Sequence, residues 1–285
     1  MKVLFVGLGE VGWALHEIFV KSKKFDVYGI DINPEMMKRA NSKEPVGEMD
    51  IIHICIQDFP QNHEKFVQII LNYALKYFPQ LIIINSTVIP HTTEEIASKI
   101  TSKVVHSPCW GTHISHEYMV LEQLRWWKLI GPTSENAGKM AYTHFLEAGF
   151  KPKLLKKSID SEIAKIAETT YGGWMITYFN ELERLCKREG ADYLSVAGNL
   201  GDVHLINKYY PYWFPDVIRG HCIMQNLDLL EKIHPRSLWV EVIKDSNKRR
   251  EEEVKYKDTQ QLIEAAKRKY CEIRKAMGEP DVKKD

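Results

Sequence analysis

The chain opens on an apolar run, Met1-Lys2-Val3-Leu4-Phe5-Val6, that passes straight into Gly7-Leu8-Gly9-Glu10-Val11-Gly12. A second apolar stretch, Val27-Tyr28-Gly29-Ile30, ends at Asp31. The order is strand, glycine-rich turn, helix, strand, acid, which points to a parallel βαβ unit because each glycine meets a different steric demand. Gly7 permits a tight turn off the strand, Gly9 leaves room for an approaching group, and Gly12 lets the helix lie close to the sheet. The helix N-terminus then offers free N–H groups and a partial positive charge to an anion. The expected ligand is the pyrophosphate of a dinucleotide, held by Gly7, Gly9, Glu10, Val11 and Gly12. Asp31 follows Gly9 by about 20 residues, the spacing of an acid that binds ribose hydroxyls. A carboxylate there repels a 2′-phosphate, so NAD is expected over NADP.

The 285 residues suffice for two domains, and an apolar share of 44% is that of a globular protein. The formal charge of +1 implies no net pull toward nucleic acid or an anionic membrane. No stretch approaches the ~20 apolar residues of a membrane span, and the N-terminus lacks a leader pattern, so a cytoplasmic protein is expected. The five cysteines, Cys55, Cys109, Cys186, Cys222 and Cys271, are odd in number and scattered, which favours reduced thiols.

Strand-like segments at Val3–Val6, Val27–Asp31, Ile51–Ile56, Leu81–Ile84, Val104–His106, Lys128–Ile130 and Pro152–Leu155 alternate with helical patterns at Val11–Val20, Glu35–Ala40, Asn62–Lys76, Thr93–Ile100 and Glu135–Ala148. The fold expected is α/β, a Rossmann-type doubly wound, mostly parallel sheet over residues 1–157, followed by an all-helical second domain over 158–285. From Asp160 to about Glu189 the apolar residues wrap most of a helix, which predicts a buried spine leading into the second domain. Ser246 to Met277 reads as one charged surface helix.

Three further segments carry chemistry: Asn85-Ser86-Thr87-Val88-Ile89-Pro90-His91-Thr92-Thr93-Glu94-Glu95; Ser161-Glu162-Ile163-Ala164-Lys165-Ile166-Ala167-Glu168-Thr169-Thr170-Tyr171 with Phe179-Asn180-Glu181-Leu182; and Arg219-Gly220-His221-Cys222-Ile223-Met224-Gln225-Asn226. Together with the N-terminal turn, over about residues 1–232, these resemble the UDP-glucose/GDP-mannose dehydrogenase family, in that family's order and roughly its spacing. The helix pattern resembles the wider 6-phosphogluconate and β-hydroxyacid dehydrogenase group as well. The resemblance implies a dinucleotide domain, a helical dimerising domain, and a third domain that binds most of a nucleotide sugar. The chain is expected to stop before that third domain, so a smaller or altered substrate is expected.

The resemblance also implies a four-electron oxidation of a primary alcohol to an acid with two NAD, in which a cysteine attacks the intermediate aldehyde. Cys222 matches that cysteine, and a reactive thiol there must be readily deprotonated. Lys165 matches the family lysine that binds substrate oxygen or stabilises an oxyanion, and Thr87 falls where the nicotinamide is lined. Asn180, Gly220 and His221 fall on substrate-binding motif positions. Departures are equally specific. Thr169 stands where the family usually has Asn, and Asn226 where it has Asp. Ser107-Pro108-Cys109-Trp110 replaces Ser-Pro-Glu, which puts Cys109, Trp110 and the nearby His113 at the substrate side in place of an acid.

His106, Cys109, His113, His116 and Glu117 cluster in the replaced loop, with ligand types that suit zinc. The reading preferred is a polar substrate loop without metal; a histidine replacing the missing acid as proton acceptor is an alternative. Tyr209, Tyr210, Tyr212, Trp213 and Phe214, with Pro211 and Pro215, read as an irregular wall beside the substrate. The expectation is an NAD-dependent oxidoreductase acting on an alcohol of a sugar-like or other small polar substrate, as a homodimer. Two alternatives stay open: a two-electron β-hydroxyacid-type dehydrogenase without cysteine chemistry, and a non-catalytic NAD-binding dimer.

Overall fold

The computed structural model describes residues 1–276 apart from 59, 112–114, 208–212, 220 and 236, and the side chains of 60, 207 and 221 lie outside the description too. The chain divides into two compact units, the first Met1–Ile166 and the second beginning at Ala167.

The first unit runs β1 (Lys2–Val6), α1 (Glu10–Ser22), β2 (Asp26–Ile30), α2 (Pro34–Arg39), β3 (Ile51–Ile54), α3 (His63–Tyr77), β4 (Leu81–Ile84), α4 (Thr92–Ala97), β5 (Lys103–His106), α5 (His116–Arg125), β6 (Trp127–Pro132), α6 (Glu135–Glu147) and β7 (Lys151–Leu154). The strands form one sheet in the order β2-β1-β3-β4-β5-β6-β7. β1 to β5 are parallel, while β6 pairs antiparallel with β5, and β7 parallel with β6. The fold is therefore the mostly parallel doubly wound sheet expected. Its central strands show why: β3 and β4 are buried at every residue, as strands covered on both faces must be.

Successive residues serve opposite faces, as the two-residue period of a strand dictates. Val3 and Phe5 pack with Leu15, Phe19, Ala141 and Phe145 of α1 and α6. Leu4 and Val6 pack with Phe66, Ile70 and Ile96 of α3 and α4. The winding direction reverses between β1 and β3, so the crevice beyond their carboxyl ends is where such a sheet binds ligands.

Helix α5 was not anticipated from the sequence. Ser115 caps it, its side chain accepting from the Tyr118 N–H, and it lies against α1. Its mixed residues hide a helix whose buried face is Tyr118, Met119, Glu122 and Gln123.

α7 (Ser158–Glu189) carries the chain from one unit into the other. The second unit continues with α8 (Tyr193–Asn207), α9 (His221–Ile233), α10 (Leu238–Glu253) and α11 (Lys257–Ala276). Phe179 of α7 packs with Tyr193, Ala197, Ala266 and Ile273, while Ile176 packs with Ile218, Leu227, Val240 and Ile243. Two expectations are corrected here. α7 is not buried on nearly every side, since Ile163, Tyr171, Trp174, Tyr178 and Leu185 are exposed. The charged tail is two helices, because α10 ends at Glu251-Glu252-Glu253, three carboxylates at the helix end whose partial charge is also negative. Arg250 is fully buried in this unit and bonds the Glu183 carboxylate at 3.0 Å and the Asn180 carbonyl at 3.3 Å. No helix among the described residues is long and apolar enough to cross a membrane.

Candidate functional site

The glycine-rich turn has the geometry its sequence implies. Gly7 sits at φ +88°, and its N–H donates to the Ile30 carbonyl at 2.9 Å, tying β1 to β2. A Cβ on Gly12 would lie 1.9 Å from the Gly7 carbonyl oxygen, so only glycine allows α1 to start this close to the sheet. Gly9 is the opposite case: nothing lies within 4 Å of the place its Cβ would take. It is the exposed N-cap of α1 with no side-chain cap, ahead of Glu10 and Val11 in the first turn. The helix end thus faces open space at the residue an anion would approach. Asp31, just past β2, accepts from the Leu8 N–H at 2.7 Å and from the Asn33 N–H at 2.8 Å. Its carboxylate braces the turn and the segment that starts α2. These residues fit a dinucleotide.

At the carboxyl end of β4, Thr87 is half-buried beside buried Asn85 and Ser86. Asn85 accepts from His53 at 2.8 Å and donates to the Ser107 carbonyl at 2.6 Å, locking β3, β4 and β5 together. His53 in turn faces His144 at 2.8 Å. With His53 Nδ1 donating to Asn85, its Nε2 is the acceptor and His144 Nε2 the donor, so both rings are neutral. Burial holds both below the usual histidine range, His144 at about 3.

The first turn of α7 is welded to this end of the sheet by three side chains. Ser158 donates to Glu94 at 3.0 Å, and Ser161 meets His106 Nδ1 at 2.7 Å. Glu162, wholly buried, accepts from the His91 N–H at 2.7 Å, the Thr93 N–H at 2.9 Å and the Thr93 hydroxyl at 2.5 Å. His91 is the N-cap of α4 in a left-handed conformation and makes no side-chain cap, so a carboxylate from α7 supplies the missing acceptor. One turn later Lys165 holds its ammonium 4.9 Å above the Trp110 ring. Thr169 is a further turn along α7 and bonds Glu168 at 3.3 Å.

Cys109 is almost buried, and its sulfur lies 3.2 Å from Nζ of Lys128. Lys128 is a fully buried lysine at the start of β6 that also donates to the Ser107 and Pro108 carbonyls. The histidines of this region do not converge. His106 is fully buried and spent on Ser161 and the Ser86 carbonyl; burial pushes it down to about 3, and the charges of Lys128 and Lys165 push the same way. His116 stacks on Trp13 and bonds Glu17. His113 lies outside the described residues. Among those described, no three His, Cys, Asp or Glu side chains are grouped as a metal would require.

In the second unit Cys222 is half-buried in the first turn of α9, and Asn226, buried, follows one turn later on the same face. Gly220 and the His221 side chain lie outside the described residues. Asn180 is fully buried and donates to the Asp216 carbonyl at 3.3 Å, holding the segment that precedes α9. Trp213 and Phe214, read as a substrate wall, instead pack with Tyr270 in the helical core. Tyr209, Tyr210 and Tyr212 lie outside the described residues.

Residues 160–248 match the central domain of the UDP-glucose/GDP-mannose dehydrogenase family. The UDP-N-acetyl-D-mannosamine dehydrogenase of Methanococcus vannielii is 23% identical over 263 residues, covering 78% of this chain and 59% of that protein. The chain therefore spans about three fifths of the relative's length. Among solved structures, the UDP-D-ManNAc dehydrogenase of Pyrococcus horikoshii superposes with a TM-score of 0.71 at 20% identity, over 87% of this chain and 68% of that one. The 3-hydroxyisobutyrate dehydrogenase of Mycobacterium tuberculosis gives 0.66 at 16% identity, over 86% of this chain and 91% of that one. At these identities the structural likeness concerns the fold.

Proposed function

We propose, on the premise that its central segment belongs to the UDP-glucose/GDP-mannose dehydrogenase family, that the chain is an NAD-dependent oxidoreductase acting on the alcohol of a sugar-like substrate. The observation that carries this reading is the open N-cap of α1 at Gly9, with Asp31 beside it. Gly7, Gly9, Glu10, Val11 and Gly12 would hold the pyrophosphate, Asp31 the ribose hydroxyls, and Thr87 would line the nicotinamide. NAD bound there supplies a hydride acceptor.

The chain's own residues divide the remaining work. Lys165, anchored through Glu162, stabilises developing charge on the substrate oxygen. Cys222, in the first turn of α9, would attack an aldehyde to give a thiohemiacetal. Asn226 cannot act as a carboxylate base, and Thr169 offers a single hydroxyl, so both serve as hydrogen-bonding groups toward the substrate. Trp110, Cys109 and His113, and Asn180, Gly220 and His221, are assigned to substrate binding. The exposed apolar stripe of α7, Tyr171, Trp174, Tyr178 and Leu185, fits a homodimer in which a partner covers it.

The test is NADH formation on a panel of UDP-sugars and small hydroxyacids, with calorimetry for NAD itself. Two NADH per product with a UDP-sugar, falling to one in Cys222→Ser, supports the four-electron reading. One NADH per product on a hydroxyacid, unchanged in that variant, supports two-electron chemistry, a reading favoured by the near-complete coverage of the 3-hydroxyisobutyrate dehydrogenase fold. No heat of binding with NAD or NADH refutes both.

A further inference from the structure

Lys128 poses a charge problem. It is 1% exposed and forms no ion pair with a carboxylate among the described residues. Burying an ammonium without a counter-charge is among the costliest things a fold can do. Its three N–H groups are nonetheless all directed: to Ser107 O at 3.1 Å, Pro108 O at 3.0 Å and Cys109 Sγ at 3.2 Å. The face of Phe145 lies 5.2 Å from the same nitrogen, a further environment suited to a cation.

The sheet explains how the two side chains meet. β5 and β6 pair antiparallel with Val105 opposite Pro132 and His106 opposite Gly131. Carried three residues further, that register sets Cys109 opposite Lys128. The pair therefore sits where β5 ends and β6 begins, at the ligand-binding edge of the parallel strands. Of the groups bonded to Lys128, only the thiol can become an anion. Among the described residues its sulfur accepts from Lys128 and donates to none.

We propose that Cys109 is a thiolate paired with the Lys128 ammonium and is a nucleophile of the first unit toward small electrophilic carbon of the aldehyde class. In that step the sulfur lone pair forms a C–S bond, the carbonyl π pair moves to oxygen, and that oxygen takes a proton. Only the identity of the electrophile rests on the dehydrogenase reading; the ion pair does not. The other titratable groups around the pair leave the charge to these two. His53 of β3, His106 of β5 and His144 of α6 are held neutral by burial. The Cys55 thiol beyond β3 is pushed up by burial and by Cys109. Lys165 of α7 adds positive charge nearby.

Methyl methanethiosulfonate, a small thiol probe whose sulfinate leaves as the disulfide forms, tests this on the whole chain by peptide-resolved labelling. Between about pH 6 and pH 8 the rate for a free reference thiol such as N-acetylcysteine rises about 100-fold, while the rate at Cys109 stays flat. In Lys128→Met the flat profile should become steep. A Cys109 rate that climbs in parallel with the free reference thiol in the unaltered protein overturns the proposal. Should Lys128→Met not fold, thiolate absorbance near about 240 nm decides. At about pH 6 the protein should absorb more than Cys109→Ser by one thiolate, and equal absorbance overturns the proposal. Neither readout needs NAD or turnover, so a failure here is separable from a failure of the dehydrogenase reading. If both hold, an aldehyde substrate analogue should protect Cys109 from the probe, and no protection refutes the nucleophilic role.

Discussion

Acid should unfold the first unit well before its carboxylates are protonated, and the cause is histidine burial. His106 and His144 are held neutral at about 3, and His16 at about 4, by loss of hydration inside the sheet and its covering helices. In the unfolded chain each titrates near 6.5. A folded pKa below the unfolded one means that the unfolded state binds protons first as pH falls. Stability is therefore complete above about pH 6.5, and it drains away down to about pH 4 for His16 and about pH 3 for the other two. At about pH 5 the solution is about 1.5 units below the unfolded value, so each ring forfeits about 2 kcal/mol, and the three together about 6 kcal/mol. His53 moves in the same direction. The lowered carboxylates Glu17 and Glu95 lose their contribution only further down, so this window belongs to the histidines. Denaturant titrations followed by tryptophan fluorescence at about pH 8 and about pH 5 measure the difference. His16→Gln, which can keep a hydrogen bond to Ser42, should remove about 2 kcal/mol of it. Equal unfolding free energies at the two pH values would refute the reasoning.

The two inner glycines should fail differently. Gly9→Ala meets open space and should melt within a degree or two of the parent while losing NAD affinity, whereas Gly12→Ala should lose stability first, both read by thermal melts and calorimetry. Glu162→Gln keeps the shape but weakens charge-assisted bonds to α4, and should cost about 2 kcal/mol in denaturant titration. Arg250→Ala strands Glu183 in the helical core and should cost about 3–5 kcal/mol, visible as lost helical circular dichroism on mild heating. Trp174→Glu, on the exposed stripe of α7, should leave a folded monomer by light scattering if that stripe is the dimer face.

The parts of the molecule that read clearly from sequence are those fixed by local demands. Ile51–Ile54 and Leu81–Ile84 are unbroken aliphatic runs because both faces of a central parallel strand are covered, and the glycine turn is legible because Gly7 and Gly12 allow nothing larger. What stayed hidden depends on pairing across distance. In Trp126-Trp127-Lys128-Leu129 the lysine looks solvent-facing; only the antiparallel register against β5 turns it inward toward Cys109. Locally Glu162 is one polar residue on a long helix, and nothing beside it says that α4 lacks a cap for it to supply. The span of α7 was legible, but its exposed side was not, because exposed aromatic residues and aromatic residues in a core are spelled alike.

The anchoring of α7 by Glu162 has a consequence for how this chain can change length. Each added residue advances a helix by about 100°. Upstream of Glu162 or beyond Lys165, insertions leave the angle between clamp and ammonium intact. A single residue placed between them would swing the lysine about a quarter-turn off Trp110 while every clamp bond survived. That three-residue interval acts as a phase setting: the protein can drift in sequence on either side of it, but not in count within it.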